Sequence, residues 1–179
     1  MKTRYILITM TLMQYPLLTM AQQSCLTQIE IPASAPSGNF LENHDETVSD
    51  KITGLMWAKC QQGHSGLECQ NGGTGGNLDA QTFNWQQALQ EAENSTLAGY
   101  GNWRLPNIKE LESLIEYSCI APALNLQTFP RVSNSQSITW TSSIANLFDD
   151  QSFYVNFFNG TTSADTRTTL RFVRLVRDQ

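Results

Sequence analysis

The run from Gly99 to Ile115 constrains this chain more than any other stretch. Gly99 and Gly101 flank a turn and close whatever precedes them. Trp103-Arg104-Leu105-Pro106 follows, and then a strongly patterned helix. Asn107 stands at the N-cap position and Glu110 three residues later, the spacing of a capping box. Ile108, Leu111, Leu114 and Ile115 recur on one helical face, so the segment predicts a helix with a buried stripe.

The flanking sequence supplies the partners for that helix. A first helix is predicted from about Asn84 to Leu97, because Trp85, Ala88, Leu89 and Ala92 fall at i, i+3, i+4 and i+7. Upstream, Thr47–Lys51 and Leu55–Lys59 read as two strands joined by a turn over Asp50–Gly54. Residues 60–79 are dense in glycine and read as a loop without the Gly-Lys-Ser/Thr ending of a phosphate-binding loop. From Trp140 onward the pattern is strand-like. Phe153–Phe158 leads into Asn159-Gly160, a strong turn signal, and Leu170–Val176 is expected to return as the paired strand.

The chain opens with an expected export signal. Lys2 and Arg4 precede an apolar stretch from Tyr5 to Leu18, and Thr19-Met20-Ala21 offers a small-x-small cleavage site with Gln22 as the mature start. Residues 1–21 are therefore read as a signal peptide, 22–46 as an extended N-terminal segment and 47–179 as one domain. Export places the protein in the periplasm, at the cell surface or outside the cell, with no membrane insertion after cleavage. The four cysteines then read as disulfides. Of the three pairings, Cys60–Cys69 is favoured because the two are close in sequence and bracket a glycine-rich loop. That leaves Cys25–Cys119 to staple the N-terminal segment to the body. The formal charge is −5 before the two leader cations are removed, which argues against nucleic acid and anionic membranes as partners.

Several motifs together resemble the Lcl C-terminal domain family. They are Thr47-Val48-Ser49-Asp50, Thr53-Gly54-Leu55-Met56-Trp57, Cys60 with Cys69, Trp85-Gln86-Gln87-Ala88-Leu89, the Gly99–Leu111 block, Phe129-Pro130, Trp140-Thr141-Ser142-Ser143 and Phe172-Val173-Arg174. The resemblance implies an α+β fold that is C-type-lectin-like, with two helices packed on a twisted antiparallel sheet. It also implies a bacterial envelope or surface setting and a role in recognition. Trp-Arg-Leu-Pro before an acidic helix is similar to the formylglycine-generating branch of that superfold, which supplies an enzymatic alternative. A structural subunit of a pilus or secretion assembly is a third. The family's founding adhesin carries a collagen-like stalk; no Gly-X-Y repeat occurs here, so stalk-driven trimerisation does not carry over.

No set of residues converges on a reaction. Gly63-His64-Ser65-Gly66 departs from G-x-S-x-G by one position. Cys60, His64 and Cys69 lack a spaced fourth zinc ligand, and export favours a disulfide. Asn43-His44-Asp45-Glu46 and Asp149-Asp150 offer oxygen atoms to calcium but match no EF-hand loop, so no cofactor is expected, with calcium the one metal held open. Glu110, Glu112 and Glu116 are expected on an exposed helix face, with Glu112 and Glu116 a like-charge pair. Trp57, Trp85 and Trp103 are expected in the core, and Arg104 as a structural arginine with its stem packed in the core and an acidic partner not fixed by the sequence; Pro106 and Glu110 complete this structural motif. Tyr100, Tyr117, Trp140 and Tyr154 are the aromatic residues available to a ligand. Arg171 and Arg177 are expected to share a strand face opposite Arg174. The expected function is a non-enzymatic module that binds a glycan or an envelope or surface protein, of undetermined oligomeric state.

Overall fold

A computed structural model describes residues 23–27, 29–72, 80–132, 137–146 and 150–179. The expected signal peptide and Asp149 lie outside the described residues. In chain order the strands are β1 (Ser24–Cys25), β2 (Phe40–Glu42), β3 (Thr47–Asp50), β4 (Leu55–Ala58), β5 (His64–Ser65) and β6 (Asn71–Gly72). Helices α1 (Trp85–Glu93) and α2 (Ile108–Glu112) follow, then β7 (Cys119–Ile120), β8 (Ile138–Asn146), β9 (Gln151–Asn156), β10 (Thr161–Thr166) and β11 (Val176–Asp178). Two antiparallel sheets dominate, one ordered β11-β4-β3-β2 and the other β10-β9-β8. The expected single sheet is therefore two, with isolated bridges tying each to a segment outside it, Thr139 of β8 to Phe172 and Val176 of β11 to Arg104.

The β3–β4 hairpin forms as its sequence predicts. The Asp50 carboxylate accepts from the Ile52 N–H at 2.8 Å and the Thr53 hydroxyl at 2.7 Å, and Gly54 takes φ +72°, a conformation open to glycine. Along β4 all four residues are buried, because the strand has a hydrophobic cluster on each face. Leu55 and Trp57 join Leu111, Leu114, Ile115, Leu124, Phe129 and Val155. Met56 and Ala58 join Ala88, Ala92, Trp103, Leu105, Trp140, Val173 and Leu175. This is the period-2 alternation of a strand, applied to a core on both sides.

Both helices are shorter than their patterns suggest. Helix α1 stops at Glu93, short of Leu97, because Asn94, Ser95 and Thr96 are residues whose side chains compete for backbone groups; the Ser95 hydroxyl accepts from the Leu97 N–H at 3.4 Å. Helix α2 ends at Glu112. Leu111, Leu114 and Ile115 are nevertheless buried as expected, while Ile108 is only half-buried. Both helices open with complete capping boxes, Asn84 with Gln87 and Asn107 with Glu110.

Three further expectations are overturned. Glu116 is not on an exposed helix face beside Glu112: it lies beyond the end of α2 and is 4% exposed. The strand that returns from the Asn159-Gly160 turn is β10, not Leu170–Val176, because the tight turn pairs Thr161 with Asn156 directly. Residues 170–176 pair in pieces instead, Arg171 with Phe83 and Phe172 with Thr139, before β11 pairs with β4. Trp140 is fully buried in the second cluster rather than available to a ligand, and its indole N–H donates to the Phe83 carbonyl at 3.0 Å.

The disulfides are Cys25–Cys119 and Cys60–Cys69, which use all four cysteines. The first ties the N-terminal strap to the body, where β1 pairs with β7. The strap is more than an extended lead-in, since β2 joins the larger sheet. Glu116 fastens the same region. Its carboxylate accepts from the Ser34 N–H at 3.0 Å, the Ala35 N–H at 2.9 Å, the Ser118 N–H at 3.0 Å and the Ser118 hydroxyl at 2.6 Å. Burial pushes this carboxyl upward, but the hydrogen bonds from Ser118, Ala35 and Ser34 together outweigh it and hold Glu116 below the ordinary value.

Candidate functional site: the Trp103–Arg104 groove

The Gly99–Asn107 segment is held by contacts that follow from its residue types. Asn102 takes φ +62°, a left-handed conformation that asparagine tolerates. Trp103 then turns inward, 3% exposed, and its indole N–H donates to the Leu97 carbonyl at 3.1 Å. Arg104 exchanges both backbone hydrogen bonds with Val176, at 2.9 and 3.0 Å, which fixes where its side chain starts. Pro106 is buried, and its carbonyl accepts from the Ser142 N–H at 2.8 Å. The Ser143 hydroxyl accepts from the Ile108 N–H at 2.9 Å, docking the start of α2 on β8.

The Arg104 guanidinium meets Glu110 in a two-pronged pair, Nη1 to Oε2 at 2.7 Å and Nη2 to Oε1 at 2.8 Å. Asp178 adds a contact at 3.1 Å. The Glu110 hydrogen bond is the main influence raising the Arg104 pKa above its ordinary value. Glu110 also accepts the Asn107 N–H of its capping box at 2.8 Å, so one carboxylate closes the helix and holds the arginine. The side chain of Arg104 remains 38% exposed.

Between this assembly and α1 lies a groove of about 620 Å³. Leu89, Ala92, Trp103 and Leu105 supply its apolar lining. Glu93, Asn102, Arg104, Asn107, Glu110 and Ser142 supply the polar one. An apolar lining with a few oriented polar groups is the general form of a ligand cleft. The groove offers hydrogen bonds from amides, a hydroxyl and a bound guanidinium. Its Glu110 carboxylate is engaged by Arg104 and by the helix cap.

The other sequence-predicted residues sort into three groups. Tyr154, Trp140 and Arg171 come together: the Arg171 guanidinium lies 3.8 Å from the Tyr154 ring centroid and 5.3 Å from that of Trp140, and it pairs with Asp165. Tyr100 and Arg177 form a second pair at 4.7 Å. Trp85, expected in the core, is half-buried under Arg167 at 4.6 Å, with its indole N–H bonded to the Thr141 carbonyl at 2.8 Å. These three arginines cap aromatic rings at the edge of the second cluster instead of forming a free basic strip. Arg174 does point the other way, as the alternation predicts, and lies 4.7 Å over Phe129. Tyr117 stands alone, 60% exposed.

Sequence reasoning missed how deeply Arg174 and Lys59 are buried. Arg174 donates to the Ala58 and Lys59 carbonyls at 2.7 and 2.5 Å, and burial pulls its pKa down. Lys59 pairs with Glu42. The signal for Arg174 was available in Val173 and Leu175, which flank it with core residues. Of the calcium candidates, Asp45 accepts from the Thr47 N–H at 3.1 Å and Asp150 pairs with Arg167 at 3.1 Å. Among the described residues no three His, Cys, Asp or Glu side chains gather into a metal-holding group. Cys60 and Cys69 are bonded to each other, which removes them as zinc ligands.

Fold and site define a disulfide-stapled α+β domain of antiparallel sheets with a semi-polar groove on one side. The chain belongs to the Lcl C-terminal domain family, which it matches over residues 46–177. No curated protein matches it. The disulfides point to an oxidising compartment, and no helix among the described residues is long and apolar enough to cross a membrane.

Proposed function

We propose that the protein is an exported, non-enzymatic recognition module of the bacterial envelope or surface, with a C-type-lectin-like fold. Its ligand is a glycan or an envelope protein, held in the Trp103–Arg104 groove. The carrying observation is the groove itself: an apolar floor and a polar wall in which Arg104 and Glu110 are already bound to each other, with Glu93 the remaining charged group. Such groups orient a ligand through fixed hydrogen bonds, and they have no free acid–base pair to offer a reaction. Membership of the Lcl C-terminal domain family and the two disulfides support the setting. The formylglycine-like alternative requires a reactive thiol, and every cysteine is in a disulfide.

The test is capture on parallel arrays of neutral, acidic and sulfated glycans and of envelope-protein fragments. Wild-type protein should bind a defined subset, and Asn102→Arg, which fills the groove mouth with a long cation, should lose it while remaining folded. Equal binding by the variant removes the groove from the account.

A structural-subunit reading is favoured by one observation. Leu26, Ile120 and Phe158 are 49%, 56% and 44% exposed, and the backbone joins them: the Leu26 N–H donates to Ser118, and the Ala121 N–H to Phe158. That reading requires stable oligomers in light scattering at micromolar concentration, whereas the recognition reading is satisfied by a monomer.

A further inference from the structure

We propose that the protein has a second, separate binding site: a subsite for one neutral pyranose ring, stacked on Tyr117. The ring of Tyr117 is the one sequence-predicted aromatic that no arginine covers, since Tyr100 lies under Arg177 and Tyr154 under Arg171. Its side chain is exposed, yet its backbone is fixed. The Tyr117 N–H donates to the Ser34 hydroxyl at 2.8 Å, and the carboxylate of its neighbour Glu116 is pinned by hydrogen bonds from Ser34, Ala35 and Ser118. An exposed aromatic on a rigid backbone presents a flat apolar face with little ordering cost when a ligand arrives.

Tyr117 lines a groove of about 290 Å³ between the strap, the β3–β4 turn and the end of α2. That is near the lower end of ligand clefts, which start at about 300 Å³, and suits one ring rather than a chain. Phe40 and Ile52 supply apolar walls, and Asn39, Glu112 and Ser113 add polar atoms. The lining shares no residue with the Trp103–Arg104 groove.

The chemistry of the lining selects the ligand class. The Asp50 carboxylate is consumed by its own turn, and Glu112 by Lys109 at 2.9 Å and Thr162 at 2.8 Å. No unpaired cation faces the groove among the described residues that line it, and the chain carries a formal charge of −5. An anionic sugar is therefore repelled and a neutral one is not. Asn39 uses its backbone groups internally, but its side-chain amide makes no hydrogen bond among the described residues, leaving a donor and an acceptor for ring hydroxyls. The Ser113 hydroxyl donates to the Glu110 carbonyl at 2.7 Å and keeps its acceptor capacity. An aromatic face beside a free amide fits a sugar ring, which is apolar on its C–H face and polar at its edge.

The experiment is amide NMR titration of the oxidised protein with methyl glycosides of glucose, galactose, mannose and N-acetylglucosamine. Galacturonic acid is the charged control and a tyrosine-containing tripeptide the competing class. At least one neutral glycoside should saturate with Kd of about 1 mM, the range of a weak single-ring subsite, with shifts centred on Asn39 and Tyr117. Tyr117→Ala should weaken it by about tenfold or more, Tyr117→Phe should bind within about threefold of wild type, and Asn39→Ala should weaken it severalfold. Tyr117 is exposed, so its two variants should keep the wild-type melting temperature. The proposal is overturned if no glycoside saturates, if the shifts map elsewhere, if Tyr117→Ala binds as wild type, if the uronic acid binds more tightly than galactose, or if the tripeptide binds more tightly than every sugar. Failure here leaves the Trp103–Arg104 reading untouched, because that groove is tested by Asn102→Arg.

Discussion

The two faces of β4 are built differently. On one, Leu55 and Trp57 enter a cluster closed by aliphatic residues, Phe129 and Phe157, with the Arg174 guanidinium over the Phe129 ring. On the other, Met56 and Ala58 enter a cluster whose edge is half-buried Trp85, Tyr100 and Tyr154, each covered by an arginine. The first cluster is sealed by the strap, the Cys25–Cys119 disulfide and Glu116. The second opens at its edge into the Trp103–Arg104 groove. One side holds the fold together, while the other keeps aromatic and polar atoms near solvent in fixed positions.

The largest effect should separate the two disulfides. Cys25–Cys119 spans 94 residues and Cys60–Cys69 spans 9. Replacing the first pair by serine should cost about 4–5 kcal/mol and the second about 2–3 kcal/mol in the loop-entropy account. Denaturant unfolding of the two double variants measures this, and equal losses would mean that the strap does not seal the first cluster.

Next in size, Trp57→Ala should cost about 3–5 kcal/mol, as for fully buried aromatic residues. Trp85→Ala, at the half-buried edge, should cost about half as much or less. Thermal unfolding of both variants tests whether the clusters differ as described.

Glu116→Gln should cost about 2 kcal/mol near neutral pH, because hydrogen bonds to a charged acceptor are stronger than those to a neutral one. The pH dependence follows from the lowered folded pKa. A depressed carboxyl contributes its stability above the unfolded pKa, about 4.3 for glutamate, and loses it as pH falls through the still lower folded value. The gap between wild type and variant should therefore be full at pH 7 and shrink progressively below about pH 4. A gap independent of pH would show that the negative charge is not what holds the strap.

The smallest effect belongs to the arginine caps. Arg167→Ala should cost about 1 kcal/mol or less, since its guanidinium is partly hydrated and its Asp150 partner is 66% exposed. A loss comparable to that of Trp57→Ala would erase the contrast between sealed and open sides.

What the sequence made legible was local. Capping of α2 at Asn107 and Glu110, the Asp50–Gly54 turn and the burial of Leu111, Leu114 and Ile115 depend on residues three or four apart, and each is found. That Arg104 would be paired was legible as chemistry, but which carboxylate it meets, Glu110 six residues away, was not. Glu116 was illegible because its partners Ser34 and Ala35 lie about eighty residues upstream in the strap. The apolar stripe that runs on to Ile115 suggests a helix reaching Glu116, whereas the helix ends four residues earlier, at Glu112. Trp140 failed for a related reason: its burial is decided by the cluster behind β8, which period-2 alternation cannot rank against the other face. The groove could not be seen at all, since Leu89 and Ala92 meet Trp103 and Glu110 only after α1 folds back against the Gly99–Asn107 segment.

The most direct measurement is the mass of what the groove captures. Ligand retained by immobilised wild-type protein, held for several hours at neutral pH and then eluted, is weighed by mass spectrometry beside ligand that never met the protein. A recognition module returns it unchanged, and the Asn102→Arg variant retains none. A product of altered mass, formed by the wild type and lost on a single substitution in the groove, would contradict the account.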